Sequence, residues 1–365
     1  MSIEGFSVRG RLADTGEGIT GDELQLAARN HGIPLEALRY DVTPAGLHYV
    51  LVHYDIPAGS AATWRLEVDG CVEQPMSFGL TELRAMGRRT VRVTLECAGN
   101  GRASLQPRPI SQPWLNEAVG TAEWTGVPLA DLLRNAGVRP DAVDVVFTGA
   151  DHGIERGVEQ DYQRGLSLGE AMKADAIVAW EMNGDPLPPQ HGYPLRLVVP
   201  GWYGMASVKW LRSIELIDHE FDGFQNAVAY RIRQEADELG TAVTRIEPRA
   251  LLIPPGFPDF MSRHRFVAAG TVTLEGKAWS GWAPIERVEV STDAGVTWSP
   301  AKLDALGNDA LAWRSFSYDW KATPGEHVLT VRAVDRSGRE QPVEAPWNRG
   351  GFANNSAQRL TVLVT

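Results

Sequence analysis

At 365 residues and 43% hydrophobic content, the chain is long enough for two domains of ordinary globular composition. Its 46 acidic residues outnumber 35 basic ones, and the formal charge of −11 argues against a nucleic-acid or anionic-membrane partner. Two cysteines, Cys71 and Cys97, cannot make a disulfide framework. The opening Met1-Ser2-Ile3-Glu4-Gly5-Phe6 lacks a basic region followed by an apolar run, and no later stretch is apolar enough to span a bilayer. The expected location is the cytoplasm.

Residues 1–30 are polar and glycine-rich and read as a loosely held arm. Residues 46–54 read as a buried strand stopped by Asp55-Ile56-Pro57, and residues 64–70 alternate as a half-buried one. Residues 77–84 suggest a short helix. Residues 91–95 alternate cleanly and deliver Cys97 into Ala98-Gly99-Asn100-Gly101, where the backbone can turn sharply. A better helix spans 129–136, with Gly137 as its stop. Strands follow at 143–148, 177–181, 193–200 and 210–217, with a turn at Asn183-Gly184-Asp185. Strands separated by loops and few helices argue for an α+β domain over 31–250. The proline-rich stretch 254–258 cannot continue a helix or an inner strand and marks a crossing. Beyond it, residues 271–276, 285–291, 327–334 and 359–364 alternate at the spacing of an immunoglobulin-like β-sandwich over 251–365.

A thiol at a strand end, beside small residues and Arg102, can be held as thiolate and leaves room for a bulky group. Alone, Cys97 would read as a small buried hydrophobe. Cys97-Ala98-Gly99-Asn100-Gly101-Arg102, however, closely resembles the molybdenum-ligand motif of the sulfite oxidase family. Further family motifs recur in order from about Pro34 onward. The segment from Tyr49 to Pro57, with His53 matching, resembles the stretch that lies along the pterin. His191-Gly192-Tyr193-Pro194-Leu195-Arg196 and Ser207-Val208-Lys209-Trp210-Leu211 resemble the pair that grips the pterin and its phosphate. Arg196 brings a planar fork suited to phosphate, and Lys209 a point charge. Asp151 follows a strand where relatives place a pterin-contacting aspartate. Trp347-Asn348-Arg349-Gly350-Gly351-Phe352-Ala353-Asn354-Asn355 resembles the signature of the family's C-terminal dimerisation domain.

The resemblance implies a molybdenum–molybdopterin cofactor with Cys97 as metal ligand, and a homodimer. It implies that Arg102 steers an anionic substrate, Trp114 shapes the pocket and Tyr230 assists hydrogen bonding. Three arginines of the family are missing: Leu51 and Ala206 replace two of them, and the Trp282-Ala283-Pro284 loop lacks the third. A charge-assisted hydrogen bond is worth roughly 1.5–3 kcal/mol, so each loss should weaken anion binding by about one to two powers of ten. Unless nearby His or Arg residues compensate, Arg102 alone supplies a weaker field than the family's cluster, and sulfite should bind weakly. Sulfite oxidation to sulfate is the expected reaction, with a cytochrome or oxygen as separate electron acceptor. Another small oxyanion, a neutral S- or N-oxide, and a cofactor-free interaction module remain the alternatives.

Overall fold

In the computed structural model, which describes residues 10–173 and 175–365, strands dominate and helices are few and short. The N-terminal part is built on two sheets. One orders Met76–Phe78, Leu66–Gly70, Leu211–Ile217, Asp144–Glu155 and Val158–Ser167, and is mixed because Leu66–Gly70 runs parallel to Leu211–Ile217. The other places Val119–Pro128 between Arg89–Glu96 and Ile177–Met182, all antiparallel. Val119–Pro128 and Val158–Ser167 go beyond the sequence-based expectation, and Met76–Phe78 is a strand where the helix was expected to begin, the helix itself being Leu80–Ala85. Val119–Pro128 is buried on both faces, so its side chains carry no alternation to read. The Leu129–Ala136 helix forms as expected and ends at Gly137 in the left-handed region, φ 73°.

The C-terminal part is a sandwich of a four-stranded and a six-stranded sheet. Its core packs Leu274, Val288, Val290, Phe316, Trp320, Leu329, Val331 and Val362 between them. The Arg249–Leu252 strand already pairs with Gly270–Trp279, so sandwich pairing starts ahead of the proline-rich stretch 254–258. Among the described residues, no helix is long and apolar enough to cross a membrane.

Three expectations need correction. Residues 46–54 form no strand: Val50 makes one isolated bridge to His31, and the rest is turn and extended loop. The apolar run is buried because it lies over a cavity, not because it joins a sheet. Of the run 193–200, only Arg196–Val198 is a strand. Finally, residues 10–30 are not a loose arm, and residues 1–9 lie outside the described residues. Gly21–Arg29 is a helix closed by a Thr20–Glu23 capping box. Glu23 is fully buried against Arg108, at 3.1 Å, and Asn30 accepts a bond from the Val52 amide at 2.7 Å. The polar composition of this segment serves internal pairing that no local pattern reveals.

Candidate active site

The Arg89–Glu96 strand ends at a tight turn. Cys97 is buried, its amide bonds the Ala118 carbonyl, and the Asn100 amide returns to the Cys97 carbonyl. Gly101 sits at φ 91°, and a side chain on Gly99 would strike the Arg102 guanidinium within 2.6 Å. These two glycines let the chain fold Arg102 back beside the thiol. Burial pushes the Cys97 thiol up, opposed first by Arg102 and then by the Gly99 amide and the Trp114 indole.

The turn is held from the sandwich side. Glu96 faces Arg249 with Nε and Oε1 3.0 Å apart, close enough for an ion pair though not aligned as a hydrogen bond. Both side chains are about 1% exposed, and the Trp279 indole donates to Glu96 at 2.8 Å. Asn354 donates to the Gly101 carbonyl at 2.7 Å. Residues on both sides of the crossing therefore fix the position of one sulfur.

Cys97 lies where two concavities meet. The inner cavity is lined by Tyr49, His53, Asp151, His191, Arg196, Ser207 and Lys209, among others. Arg196 is buried and donates to the carbonyls of His191 at 3.0 Å and Ser207 at 3.1 Å, with its guanidinium 4.6 Å from the Trp124 ring centre. Burial pulls its pKa down to about 10. Lys209 donates to the Leu51 carbonyl at 2.5 Å and lies over Trp210. Burial, then Arg196, pull the Lys209 ammonium down to about 7, with Asp151 opposing. Neither cation has a carboxylate within ion-pair distance among the described residues. Burial lifts Asp151 to about 6, and its Oδ1 has no hydrogen-bond partner; nor does His191 Nε2.

The placement of the remaining sequence-selected residues is uneven. The Ser207 hydroxyl accepts from the Val199 amide, and Val208 packs into the main core rather than lining the cavity. Trp114 is buried in a cluster with Cys97. His53 Nε2 and the Tyr230 hydroxyl share a 2.9 Å hydrogen bond, and burial holds His53 down to about 4. Sequence reasoning passed over His48, which stacks on Tyr49 at 5.2 Å and meets His191 edge-on at 5.3 Å. Its position directly before Tyr49 was the available signal.

Outside Cys97 opens a groove of about 910 Å³, which Leu51, His53 and Tyr230 line along with Cys97. Here the structure overturns the expectation of a lone cation. Arg102 is joined by Arg11, which pairs with Glu17, and by Arg29, Arg156, Arg231, Arg233 and Arg349. Ala206 is fully buried in the core, and Trp282 packs on Arg339, so two of the three "missing" positions do not face the groove. The replacements come from a hairpin tip, the residues just after Tyr230, and Arg349 within the C-terminal motif.

These residues suit a large anionic cofactor. Two half-sequestered cations without carboxylates would be neutralised by a phosphate, and unpaired buried polar atoms await partners. Cys97 is the single thiol on the lining, and no group of three His, Cys, Asp or Glu among the described residues is arranged to hold a metal. A metal here would take its other ligands from the cofactor. Fold and cavity together define a protein shaped to hold a large buried anionic group beside a single thiol. Residues 53–225 match the oxidoreductase molybdopterin binding domain, and residues 254–365 the Mo-co oxidoreductase dimerisation domain. Sulfite oxidase of Gallus gallus is 33% identical over 353 residues, 87% of this chain and 72% of that protein. Nitrate reductase [NADH] 1 of Arabidopsis thaliana is 31% identical over 92% of this chain, which spans only 40% of that enzyme. The sulfane dehydrogenase SoxCD of Paracoccus pantotrophus shares the fold with a TM-score of 0.80 and 27% identity, covering 97% of this chain and 88% of that one. The chain belongs to the sulfite oxidase family of molybdopterin oxidoreductases.

Proposed function

We propose that the protein oxidises sulfite or a related sulfur oxyanion, with Cys97 as the protein ligand to molybdenum. One observation carries this reading: Cys97 lines both the inner cavity and the arginine-rich groove, so a group held by its sulfur faces the substrate side. The cofactor would supply oxygen-atom and two-electron chemistry. Arg196 and Lys209 would hold its phosphate, with His191, Asp151 and Tyr49 along its length. Arg102 and the groove arginines would draw the anion in, which the net negative surface would otherwise repel. The Tyr230 hydroxyl, oriented by His53, stands ready to donate to an oxyanion or pass a proton. A neutral S- or N-oxide would leave this concentration of cations without a counter-charge.

We further propose a two-fold homodimer through the sandwich, in line with its match to the dimerisation domain, and a separate electron acceptor. The test is single-turnover reduction of metal-loaded protein by sulfite, beside nitrate-driven reoxidation and a panel of sulfoxides. Sulfite should reduce the centre within seconds. Cys97→Ser should keep its circular dichroism and melting temperature within a few degrees yet lose nearly all turnover. Full activity in that variant would end the assignment.

A further inference from the structure

The groove is larger and more cationic than an inorganic oxyanion requires. Its 910 Å³ or so falls near the top of the roughly 300–1,000 Å³ range of small-molecule sites. Its cations are also arranged in depth. Arg102, buried at the floor, donates through Nε to the Gly350 carbonyl at 2.9 Å and through Nη1 to the Gln112 carbonyl at 3.4 Å. Its Nη2 has no protein partner among the described residues. Arg349 is the neighbour of Gly350, and its amide bonds the Arg233 carbonyl at 2.8 Å. These contacts tie the outer cations to the floor arginine through two adjacent residues.

Arg231 donates to the Leu239 and Gly240 carbonyls and Arg11 pairs with Glu17, but three other outer arginines are not used up by the protein. The Arg349 and Arg156 side chains make no ion pair or hydrogen bond among the described residues, and Arg233 donates only to the Val228 carbonyl. The lining acids do not neutralise them: Glu155 accepts from Gln225, and neither it nor Asp22 pairs with an arginine. Arg156, Arg231 and Arg349 lower the pKa of Arg233 by repulsion, second only to its burial. Mutually repelling cations facing a concave space are stabilised when an anion enters between them.

We propose that the groove binds an organic anion with two acidic ends, the reacting oxyanion group at Arg102 and a distal carboxylate or sulfonate at Arg233 and Arg349. This rests on reading the groove as the substrate site and adds the class of substrate. A concave site with a buried cation at its floor fits a small molecule better than a protein surface, which would meet the exposed lip and leave Arg102 unused. An inorganic oxyanion would occupy the floor and leave the lip without a partner.

Calorimetric titration of the metal-loaded protein with 3-sulfopropionate and with methanesulfonate tests it at fixed ionic strength. The two-ended ligand should bind at least tenfold more tightly. Arg349→Gln and Arg233→Gln should each erase most of that preference while leaving methanesulfonate within about twofold, whereas Arg102→Gln should weaken both ligands. Equal affinities, or a preference that survives both lip substitutions, would overturn the proposal and assign the arginines to an acidic protein partner. Molybdenum content is measured on the same sample. The titration reads the groove with or without metal, so missing molybdenum counts against the functional reading alone.

Discussion

The inner cavity and the outer groove share one sulfur atom but handle positive charge in opposite ways. In the cavity, Arg196 and Lys209 are fixed by backbone carbonyls and by the faces of Trp124 and Trp210, leaving little freedom. In the groove, the Arg156 and Arg349 side chains make no hydrogen bond or ion pair among the described residues, and the cations around Arg233 repel one another. A prepaid, rigid site suits a resident group bound for the life of the protein. A loose ring of cations suits a ligand that must arrive and leave.

The largest expected effect tests the frame that both regions depend on. Glu96→Ala would leave Arg249 buried without its carboxylate, a change that costs roughly 3–5 kcal/mol for a buried pair. It also removes the acceptor of the Trp279 indole and of Asn100. Denaturant unfolding should show that loss, and the Cys97 turn should become reactive to a thiol reagent in the native state. A loss under about 1 kcal/mol would mean the two parts meet without fixing the thiol.

Arg196→Lys comes next and tests the rigid half. A lysine cannot donate to two carbonyls in a plane and stack on Trp124 together. Losing one charge-assisted contact of roughly 1.5–3 kcal/mol should cut cofactor retention by about tenfold to a hundredfold, read as molybdenum per chain after dialysis. Unchanged occupancy would place the phosphate elsewhere.

The same contrast explains what could be read from the sequence. His191, Arg196, Ser207 and Lys209 fall in short contiguous stretches, because a rigid site is built from a loop and its neighbouring strand. The sandwich strands were legible for a related reason: one face is wet, and alternation survives. The groove was not. Its arginines come from residues 11, 29, 102, 156, 231, 233 and 349, brought together by folding, and three vacant motif positions suggested a poor field. Two of those positions do not line the groove at all. Residues 46–54 misled in another way, since an apolar run reads the same over a cavity as within a sheet. The helix 21–29 was hidden because its buried glutamate is answered by Arg108, far along the chain.

A smaller effect concerns pH. In cofactor-free protein, Lys209 has a pKa of about 7, below its ordinary value near 10.5. The folded state therefore binds fewer protons than the unfolded one between about pH 7 and 10.5, and stability rises with pH across that window. Asp151, raised to about 6, acts in the opposite direction, and only between roughly pH 4 and 6. Cofactor-free protein should melt a few degrees higher at pH 9 than at pH 7, relative to Lys209→Met. Loaded protein should lose that difference, because a phosphate would keep the ammonium charged. A pH dependence identical in both forms would remove Lys209 from the cofactor site.

The smallest effect is expected where the sequence alone promised a large one. Leu51→Arg restores a cation that relatives carry, and Leu51 does line both the cavity and the groove. If Arg102 stood alone, the new guanidinium would tighten sulfite binding by about one to two powers of ten. It does not stand alone. Six further arginines line the same groove, and Lys209 Nζ already lies 2.5 Å from the Leu51 carbonyl. An added charge there meets like charges first, and mobile ions screen what remains within a Debye length of roughly 8 Å. Sulfite affinity should therefore change by no more than about threefold, and the melting temperature should fall through repulsion from Lys209. Kinetics and melting must be measured on the same metal-loaded sample, so that lost cofactor is not mistaken for lost affinity. A tenfold or greater gain in sulfite affinity would show that Arg29, Arg156 and Arg231 leave the reacting end short of positive charge.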